Sequence, residues 1–141
     1  MSILPKLRDY IKNTNSDWNY ITPYDFYNKY YSKNKRNYVV IDLRKKKDYK
    51  KFHMPYSKNI FWLDLLLDKN LKRLSNYINK GKKIFFICYV GHTSSQAMVL
   101  LKLLGMPVVS IKFGYGISPL SKVPIMGWIQ CKYPLVFKQK E

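Results

Sequence analysis

Three short, mostly apolar runs divide the chain and leave room for helices between them. The runs are Tyr38–Asp42, Ile84–Cys88 and Val108–Ile111, and their β-branched and aromatic residues predict buried strands. Uninterrupted apolar strands that alternate with helices are typical of a parallel sheet covered on both faces. We therefore predict an α/β fold in which a central parallel sheet is flanked by helices on both faces.

Helical signals lie before and between the predicted strands. Thr22 can cap a helix in which Pro23 takes the first position and Asp25 suits the positive end of the dipole, and this helix is expected to run to about Tyr31. A short charged helix is predicted from Lys45 to Phe52. Two longer helices begin near Trp62 and after His92 and end at Gly81 and Gly105. Their predicted inward positions are Leu63, Leu66, Leu67, Leu71, Leu74 and Ile78 in the first helix and Ala97, Leu100, Leu101 and Leu104 in the second.

The chain shows no internal repeat and no linker, so we predict one domain over residues 20–141. Residues 1–19 form an accessory segment with a short amphipathic piece around Leu4, Leu7 and Ile11. No apolar run approaches eighteen residues, and the first residues lack the apolar stretch of a secretory signal, so membrane insertion is not expected. Two cysteines, Cys88 and Cys131, cannot build a disulfide framework. A reduced, cytoplasmic protein is the simplest expectation.

The charge is strongly positive but says little about function. Among 141 residues, 26 Lys and Arg stand against 8 Asp and Glu, which gives a formal net charge of +18. This sign suits anionic partners such as nucleic acid, acidic lipid or small anions. The excess is nearly all lysine and is spread over the whole chain, however, which favours background composition over a dedicated nucleic-acid surface.

Cys88 holds the position with the clearest chemical potential. It ends a predicted central strand, and a helix begins about five residues later, so its sulfur would lie where ligands bind in open parallel sheets. The helix dipole and converging main-chain N–H groups favour a negative sulfur there, and Gly91 can supply the backbone conformation that a curled loop needs. Position alone leaves two readings equally open, a reactive thiolate and an inert buried thiol. Cys131 lacks this context and is expected to be inert.

Three blocks of sequence resemble the motifs of one family. They are Val40–Arg44 followed by Asp48 and Tyr49, then His53–Ile60, then Ile87–Ser94. Together they resemble "V-I-D-x-R-x-x-x-E-Y/F", "H-I-P-G-A-x-N-I" and "Y-C-x-x-G-x-R/T-S" of the rhodanese family of sulfurtransferases. The blocks occur in the right order and at the right separations, and the resemblance covers residues 20–137. It implies a single rhodanese-like domain.

The resemblance also implies roles for individual residues. Cys88 would be the nucleophile that holds a sulfane sulfur as a persulfide, and the amides of residues 89–93 would cradle that group. The binding loop would consist of Tyr89, Val90, Gly91, His92, Thr93 and Ser94, with the Thr93 hydroxyl supporting it. Asp42, Arg44 and His53 would be structural, and Arg44 would pair with Asp48. His92 reads as an exposed loop histidine. No metal or organic cofactor is expected, because sulfur itself carries the chemistry and the sequence has no Cys/His metal spacing.

Departures from the family pattern concern the sulfur donor and the turns. Tyr89 and Val90 are neutral where relatives active on thiosulfate carry basic residues, so we expect weak thiosulfate activity and a larger or less charged donor. Tyr56 replaces a glycine, so the turn there is expected to differ. Residues 117–127 form an insertion, with a flap over the pocket and a surface loop as equally open readings.

The predicted function is transfer of a sulfane sulfur from thiosulfate or a persulfide to a thiophilic acceptor through a Cys88 persulfide. The expected partners are a small sulfur-containing anion or persulfide donor and an acidic protein acceptor, while nucleic acid itself is not expected. The alternative is a non-catalytic or sulfur-carrier module that delivers to an acidic protein or an RNA-modifying partner. A phosphatase of related fold would need an arginine where this chain has Ser94.

Overall fold

A computed structural model of the chain describes residues 2–14, 19–33, 35–118 and 125–138. Its strands are β1 (Tyr20–Ile21), β2 (Tyr38–Asp42), β3 (Phe52–His53), β4 (Lys58–Asn59), β5 (Lys83–Ile87), β6 (Val108–Ile111) and β7 (Val136–Phe137). Five of them form one parallel sheet in the order β1-β6-β5-β2-β4. A separate antiparallel pair joins β3 to β7.

Helices connect the strands of the parallel sheet. The Thr22 hydroxyl accepts a hydrogen bond from the Asp25 N–H at 3.0 Å and so caps the second helix, as predicted. That helix continues as one π-helical segment, Tyr27–Tyr31, and a 3₁₀ turn covers Trp62–Asp64. The α-helices are α1 (Leu4–Asn13), α2 (Pro23–Phe26), α3 (Lys46–Lys51), α4 (Asp68–Asn79) and α5 (His92–Leu103).

The core lies on both faces of the sheet, because successive side chains of a strand point to opposite sides. Val39 and Ile41 belong to one apolar cluster with residues of α4 and α5. Tyr38 and Val40 belong to the other cluster, which also contains Phe26 of α2, Tyr115 and Trp128. The predicted α/β fold with a parallel sheet covered on both faces is therefore confirmed.

The predicted helix from Trp62 is wrong in its first turn. Residues 62–64 form a 3₁₀ turn and α4 begins only at Asp68, so Leu63, Leu66 and Leu67 are exposed. Leu65 fills the core in their place. The reason is the anchoring of this segment to the end of β2, where the Trp62 N–H donates to the Leu43 carbonyl at 3.1 Å.

The inward face of α5 is also rotated from the prediction. Ala97, Met98 and Leu101 are buried, whereas Leu100 and Leu104 are exposed. The buried stripe starts at Ser94 and follows the i, i+3, i+4, i+7 spacing of one helix face through Ala97, Met98 and Leu101, so Leu100 and Leu104 lie outside it. The predicted strand end is one residue too long as well, because β5 stops at Ile87 and leaves Cys88 in the loop.

The amphipathic piece near the amino terminus is the helix α1. None of its side chains is buried, and its Tyr10 hydroxyl contacts the Met98 sulfur of α5 at 3.8 Å. The division of the chain at residue 20 stays a prediction. Among the described residues, no helix is long and apolar enough to cross a membrane.

Candidate active site

Cys88 lies at the carboxyl end of the sheet, between the end of β5 and the start of α5 at His92. β5 is flanked by β2 and β6, so the loop from Cys88 projects from the middle of the sheet. Gly91 turns this loop into the helix with a φ of +97°, which a side chain would strain. A Cβ at Gly91 would also lie 2.9 Å from the Phe113 nitrogen. The loop therefore curls tightly at the amino end of α5.

The curled loop directs hydrogen-bond donors at the sulfur. The main-chain N–H groups of Gly91 and Ser94 lie 3.2 and 3.3 Å from Sγ of Cys88. The Cys88 thiol in turn donates to the Ser94 hydroxyl oxygen at 3.3 Å, and that oxygen is 2.8 Å from the hydroxyl oxygen of Ser110. Cys88 is 1% exposed. The site thus offers the sulfur two main-chain donors, and within the described residues no charged side chain hydrogen-bonds to it.

The hydroxyl that supports the loop belongs to Ser94 and not to Thr93. Ser94 donates to the Gly91 carbonyl at 3.3 Å, while Thr93, half-buried, makes no hydrogen bond through its hydroxyl within the part of the chain that is described. Ser94 is the third residue of α5 and is fully buried, so its hydroxyl points into the protein. His92 is exposed at the first position of α5, in line with the sequence reading.

The segment Gly114–Gly116 forms the base of the loop. The Tyr115 and Gly116 N–H groups donate to the Cys88 and Tyr89 carbonyls at 3.0 and 2.9 Å. A Cβ at Gly114 would lie 2.2 Å from the Cys88 carbonyl oxygen, so only glycine allows this approach. These contacts fix the backbone on which the sulfur is carried.

Arg44 pairs with Asp42, and the predicted pair with Asp48 is wrong. Its Nη2 lies 2.9 Å from Oδ2 of Asp42 and its Nε lies 3.1 Å from Oδ1. Nη2 also donates to the Phe52 carbonyl at 2.6 Å. The chain turns sharply after β2, which brings the guanidinium back over the strand end instead of along α3. Burial alone would lower the pKa of Arg44, but the hydrogen bonds and charge of Asp42 outweigh it and raise that pKa above its ordinary value.

Tyr115 completes this buried polar group. Its hydroxyl donates to Oδ2 of Asp42 at 2.8 Å and accepts from the Met54 N–H at 2.8 Å. Burial, followed by the Asp42 charge, raises the pKa of Tyr115 well above its ordinary value, so the phenol stays neutral. Because the Tyr115 main-chain N–H donates to the Cys88 carbonyl, Tyr115 connects the Asp42–Arg44 ion pair to the cysteine loop.

Asp48 serves Tyr89. The Tyr89 hydroxyl donates to Oδ2 of Asp48, and Lys51 approaches Oδ1 at 3.9 Å. Burial and this hydrogen bond to a carboxylate raise the pKa of Tyr89 to about 12. The tethered ring closes one side of a cavity of about 210 Å³. Its lining residues are Arg44, Asp48, Lys51, Phe52, Tyr89, Tyr115 and Ile117.

His53 has a structural environment. Its Nδ1 lies 2.9 Å from the Tyr49 carbonyl, and its ring stacks on the Tyr49 ring with centroids 3.9 Å apart. Tyr56 follows in the next turn with a φ of +67°, a conformation typical of glycine. Tyr56 therefore adopts a backbone conformation that suits glycine, and the expectation that this turn differs from that of the family stays a prediction. The Arg36 guanidinium, 4.1 Å from the Tyr56 ring, favours this arrangement.

Sequence reasoning missed Ser110, Tyr115 and Asn59 as parts of the site. Ser110 carried a usable signal, because it is the polar residue within an otherwise apolar strand. Asn59 donates to the Asp42 and Arg44 carbonyls at 3.0 and 2.9 Å. Residues 119–124 of the predicted insertion, which include Pro119 and Pro124, lie outside the described residues. No group of three or more His, Cys, Asp or Glu in the described ranges could hold a metal ion.

A model of the rhodanese-like domain matches residues 26–116, and the chain therefore belongs to the rhodanese-like domain family. The family makes it a sulfurtransferase-like protein. This agrees with a cysteine loop at the carboxyl end of a parallel sheet. No curated protein matches the chain.

Solved structures show the same fold at low sequence identity. A rhodanese-related protein from Thermoplasma volcanium is 24% identical, with a TM-score of 0.61 over 83% of this chain and 96% of that one. The BH2092 protein of Bacillus halodurans is 20% identical, with a TM-score of 0.66 over 97% of this chain and 88% of that one. A thiosulfate sulfurtransferase from Pseudomonas aeruginosa is 17% identical, with a TM-score of 0.59 over 84% of this chain and 19% of that one.

Proposed function

We propose that the chain is a sulfurtransferase that moves a sulfane sulfur from a donor to a thiophilic acceptor through a persulfide on Cys88. The observation that carries the proposal is the position of Sγ, which receives two main-chain N–H groups at the amino end of α5. Hydrogen bonds to the charged form of a thiol favour the thiolate, which is the nucleophile in sulfur chemistry. Membership of the rhodanese-like family supports the same chemistry.

The reaction has two displacement steps. The Cys88 thiolate attacks the outer sulfur of the donor, and a new S–S bond forms as the donor's own S–S bond breaks. Thiosulfate would leave sulfite behind, and an organic persulfide would leave its thiolate. An acceptor nucleophile then attacks the outer sulfur of the persulfide and releases the Cys88 thiolate. Neither step needs an oxidant or reductant, because the sulfane sulfur passes on at its own oxidation level.

The entrance to the loop favours a donor with an organic part. Tyr89 is held by Asp48 over a cavity whose other walls include the rings of Phe52 and Tyr115. Of the two cations that line it, Arg44 is paired with Asp42, and Lys51 approaches Asp48 at 3.9 Å. A cavity of aromatic rings and paired charges suits the carbon chain of a persulfide better than the compact dianion thiosulfate. We therefore propose a low-molecular-weight or protein persulfide as the preferred donor.

The cellular setting and the extent of the domain are part of the proposal. Both cysteines are free thiols, which suits the cytoplasm, where thiols are kept reduced. The catalytic domain is taken to span residues 20–141, with residues 1–19 as an accessory segment.

A single-turnover transfer experiment tests the proposed function. The protein is treated with an organic persulfide, freed of excess donor, and mixed with cyanide, and thiocyanate is measured. We expect about one equivalent of thiocyanate per chain, as one persulfide per cysteine nucleophile requires. Cys131→Ser is the matched control and should behave like the original chain, whereas Cys88→Ser should release none. Equal release from both variants would contradict the proposal and favour a non-catalytic role.

A further inference from the structure

One surface next to the candidate active site carries only cations. Lys46, Lys47, Lys50 and Lys51 of α3 and Lys138 after β7 line a surface cleft of about 520 Å³, and no carboxylate lines it. All five side chains are exposed. The Lys138 N–H donates to the Lys51 carbonyl at 3.1 Å, so the two elements that carry the lysines are joined. We call these five residues the α3 lysine patch.

Helix stability does not explain the two lysines in the first turn of α3. Lys46 and Lys47 occupy the first turn of α3, where the helix dipole is positive and repels cations. Lys45 at the N-cap offers no side-chain hydrogen bond to the helix. The acid of this helix, Asp48, is engaged by the Tyr89 hydroxyl. Lys50 and Lys51 lie in the last turn, where cations suit the dipole, and Lys51 approaches Asp48 at 3.9 Å. Lys46 and Lys47 therefore lower the stability of the helix that carries them, which favours a role outside the fold for these two residues.

The patch borders the cavity beside the cysteine loop. Lys51 lines both the lysine cleft and the cavity that Tyr89 closes. Phe137 of β7, which is 65% exposed, lies next to Lys138 and packs near the Phe52 ring. A bound macromolecule that contacts the lysines and Phe137 would thus have its adjacent residues at the cavity mouth. Cationic groups around an exposed apolar ring are suited to an acidic protein surface.

We propose that the α3 lysine patch docks an acidic protein that accepts sulfur from Cys88 through a cysteine thiol, an inference that rests on the proposed persulfide chemistry. The acceptor thiolate attacks the outer sulfur of the Cys88 persulfide, a new S–S bond forms on the acceptor, and the Cys88 thiolate leaves. A protein fits better than RNA as the partner, because the standard bases of RNA contain no thiol nucleophile for this step.

Cysteine peptides serve as the probe. Two peptides of equal length are prepared, with one cysteine flanked either by glutamates or by serines and glycines. The persulfide-loaded full chain is mixed with each peptide, and the second-order rate constant of sulfur transfer is measured at several salt concentrations. Electrostatic steering predicts a rate for the acidic peptide about tenfold or more above that for the neutral one at low salt. The difference should shrink to about twofold at 0.5 M NaCl, where the Debye length is only a few ångströms.

Charge-reversal variants locate the effect. Lys46→Glu/Lys47→Glu/Lys50→Glu should remove the advantage of the acidic peptide and leave the neutral peptide unaffected. Acidic residues suit the amino end of α3, so this variant is expected to remain folded. The matched control is Lys33→Glu/Lys35→Glu/Lys80→Glu, which makes the same change in net charge. Its residues are exposed and precede β2 and β5, at the end of the sheet opposite Cys88. It should keep most of the advantage.

The outcomes separate docking from chemistry. Failure of both peptides to receive any sulfur would refute the proposed function itself. Transfer to both peptides at equal rates, or equal losses in the two charge-reversal variants, would refute docking and leave the chemistry standing. An RNA oligonucleotide is added as competitor in a parallel measurement. Polyglutamate serves as the second competitor, and the two are compared at equal concentrations of negative charge. The proposal is overturned, and the surface assigned to nucleic acid, if RNA suppresses transfer to the acidic peptide at a lower charge concentration than polyglutamate does and if this suppression is lost in the patch variant.

Discussion

Ser94 contacts the Cys88 sulfur twice, through its main-chain N–H and through its hydroxyl, with both separations at 3.3 Å. The Ser94 hydroxyl is itself placed by Ser110, whose oxygen lies 2.8 Å away. All three residues are buried. The sulfur is therefore held by neutral groups of the loop and the helix, and Ser110 of the neighbouring strand β6 positions one of them.

Ser94→Ala should slow formation of the Cys88 persulfide. In the thiol the Ser94 oxygen accepts from Sγ, and in the thiolate the Ser94 hydroxyl is expected to turn its proton from the Gly91 carbonyl to the sulfur. The variant removes that bond, and a bond to a charged group contributes about 1.5–3 kcal/mol, which corresponds to a rate loss of about tenfold or more. The rate of sulfur uptake from an organic persulfide is measured under single-turnover conditions. Ser95→Ala, whose hydroxyl bonds only to the His92 carbonyl, is the control. An unchanged rate in Ser94→Ala would remove this hydroxyl from the mechanism.

Asp42→Asn and Arg44→Met should each destabilise the fold severely. Both side chains are buried, and each change leaves the other charge without its partner, which costs about 3–5 kcal/mol. The double variant should lose less than the sum of the single variants, because it leaves no unpaired charge. Unfolding in urea gives the three free energies. Asp68→Asn, at an exposed position, is the control, and losses near its value would show that the buried pair contributes little.

Tyr89→Phe should lower the stability at neutral pH by about 1–2 kcal/mol, since it removes the hydrogen bond to Asp48. The folded pKa of Tyr89, about 12, is above its ordinary value of 10.0. The contribution of the phenol is therefore complete below pH 10 and is lost as the pH rises through about 12. Urea unfolding of both proteins between pH 8 and pH 12 tests this. Tyr24→Phe is an exposed control, and a difference that grows with pH would contradict the sign of the effect.

Val90→Lys should improve the use of thiosulfate. A cation in the loop attracts the dianion next to Sγ, whereas the neutral pair Tyr89 and Val90 provides no such charge. The expected result is a rise of about tenfold in kcat/KM for thiosulfate, in the range that local charge changes produce, with little change for an organic persulfide. Efficient thiosulfate turnover by the original chain, not improved by the lysine, would show that loop charge does not select the donor.

The central strands and the position of Cys88 could be predicted from sequence because buried parallel strands need continuous apolar runs. β2 and β6 agree with the prediction to the residue, and β5 agrees to within one residue at each end. β1, β3, β4 and β7 have two residues each, too few for any periodicity to emerge. Each of these short strands pairs with a segment distant in the sequence, as β3 does with β7. Local composition does not show which segment the partner is.

The partners of individual side chains were the least predictable part of the site. Arg44 and Asp48 have the spacing of a helical ion pair, but Arg44 precedes α3 and the turn after β2 returns its guanidinium to Asp42. Thr93 and Ser94 are adjacent residues that both carry a hydroxyl. Which hydroxyl faces the sulfur depends on how the first turn of α5 is oriented about the helix axis. Such choices depend on helix phase and on tertiary contacts, so a motif could name the loop without assigning its hydrogen bonds.

The mass of the intact protein after treatment with a persulfide donor tests the Cys88 persulfide most directly. One added sulfur atom corresponds to a gain of about 32 Da, which a reducing thiol should reverse. We expect this gain in the original chain and in Cys131→Ser, located on the peptide that contains Cys88, and no gain in Cys88→Ser. Persistence of the gain in Cys88→Ser, or its absence from the original chain, would contradict the mechanism.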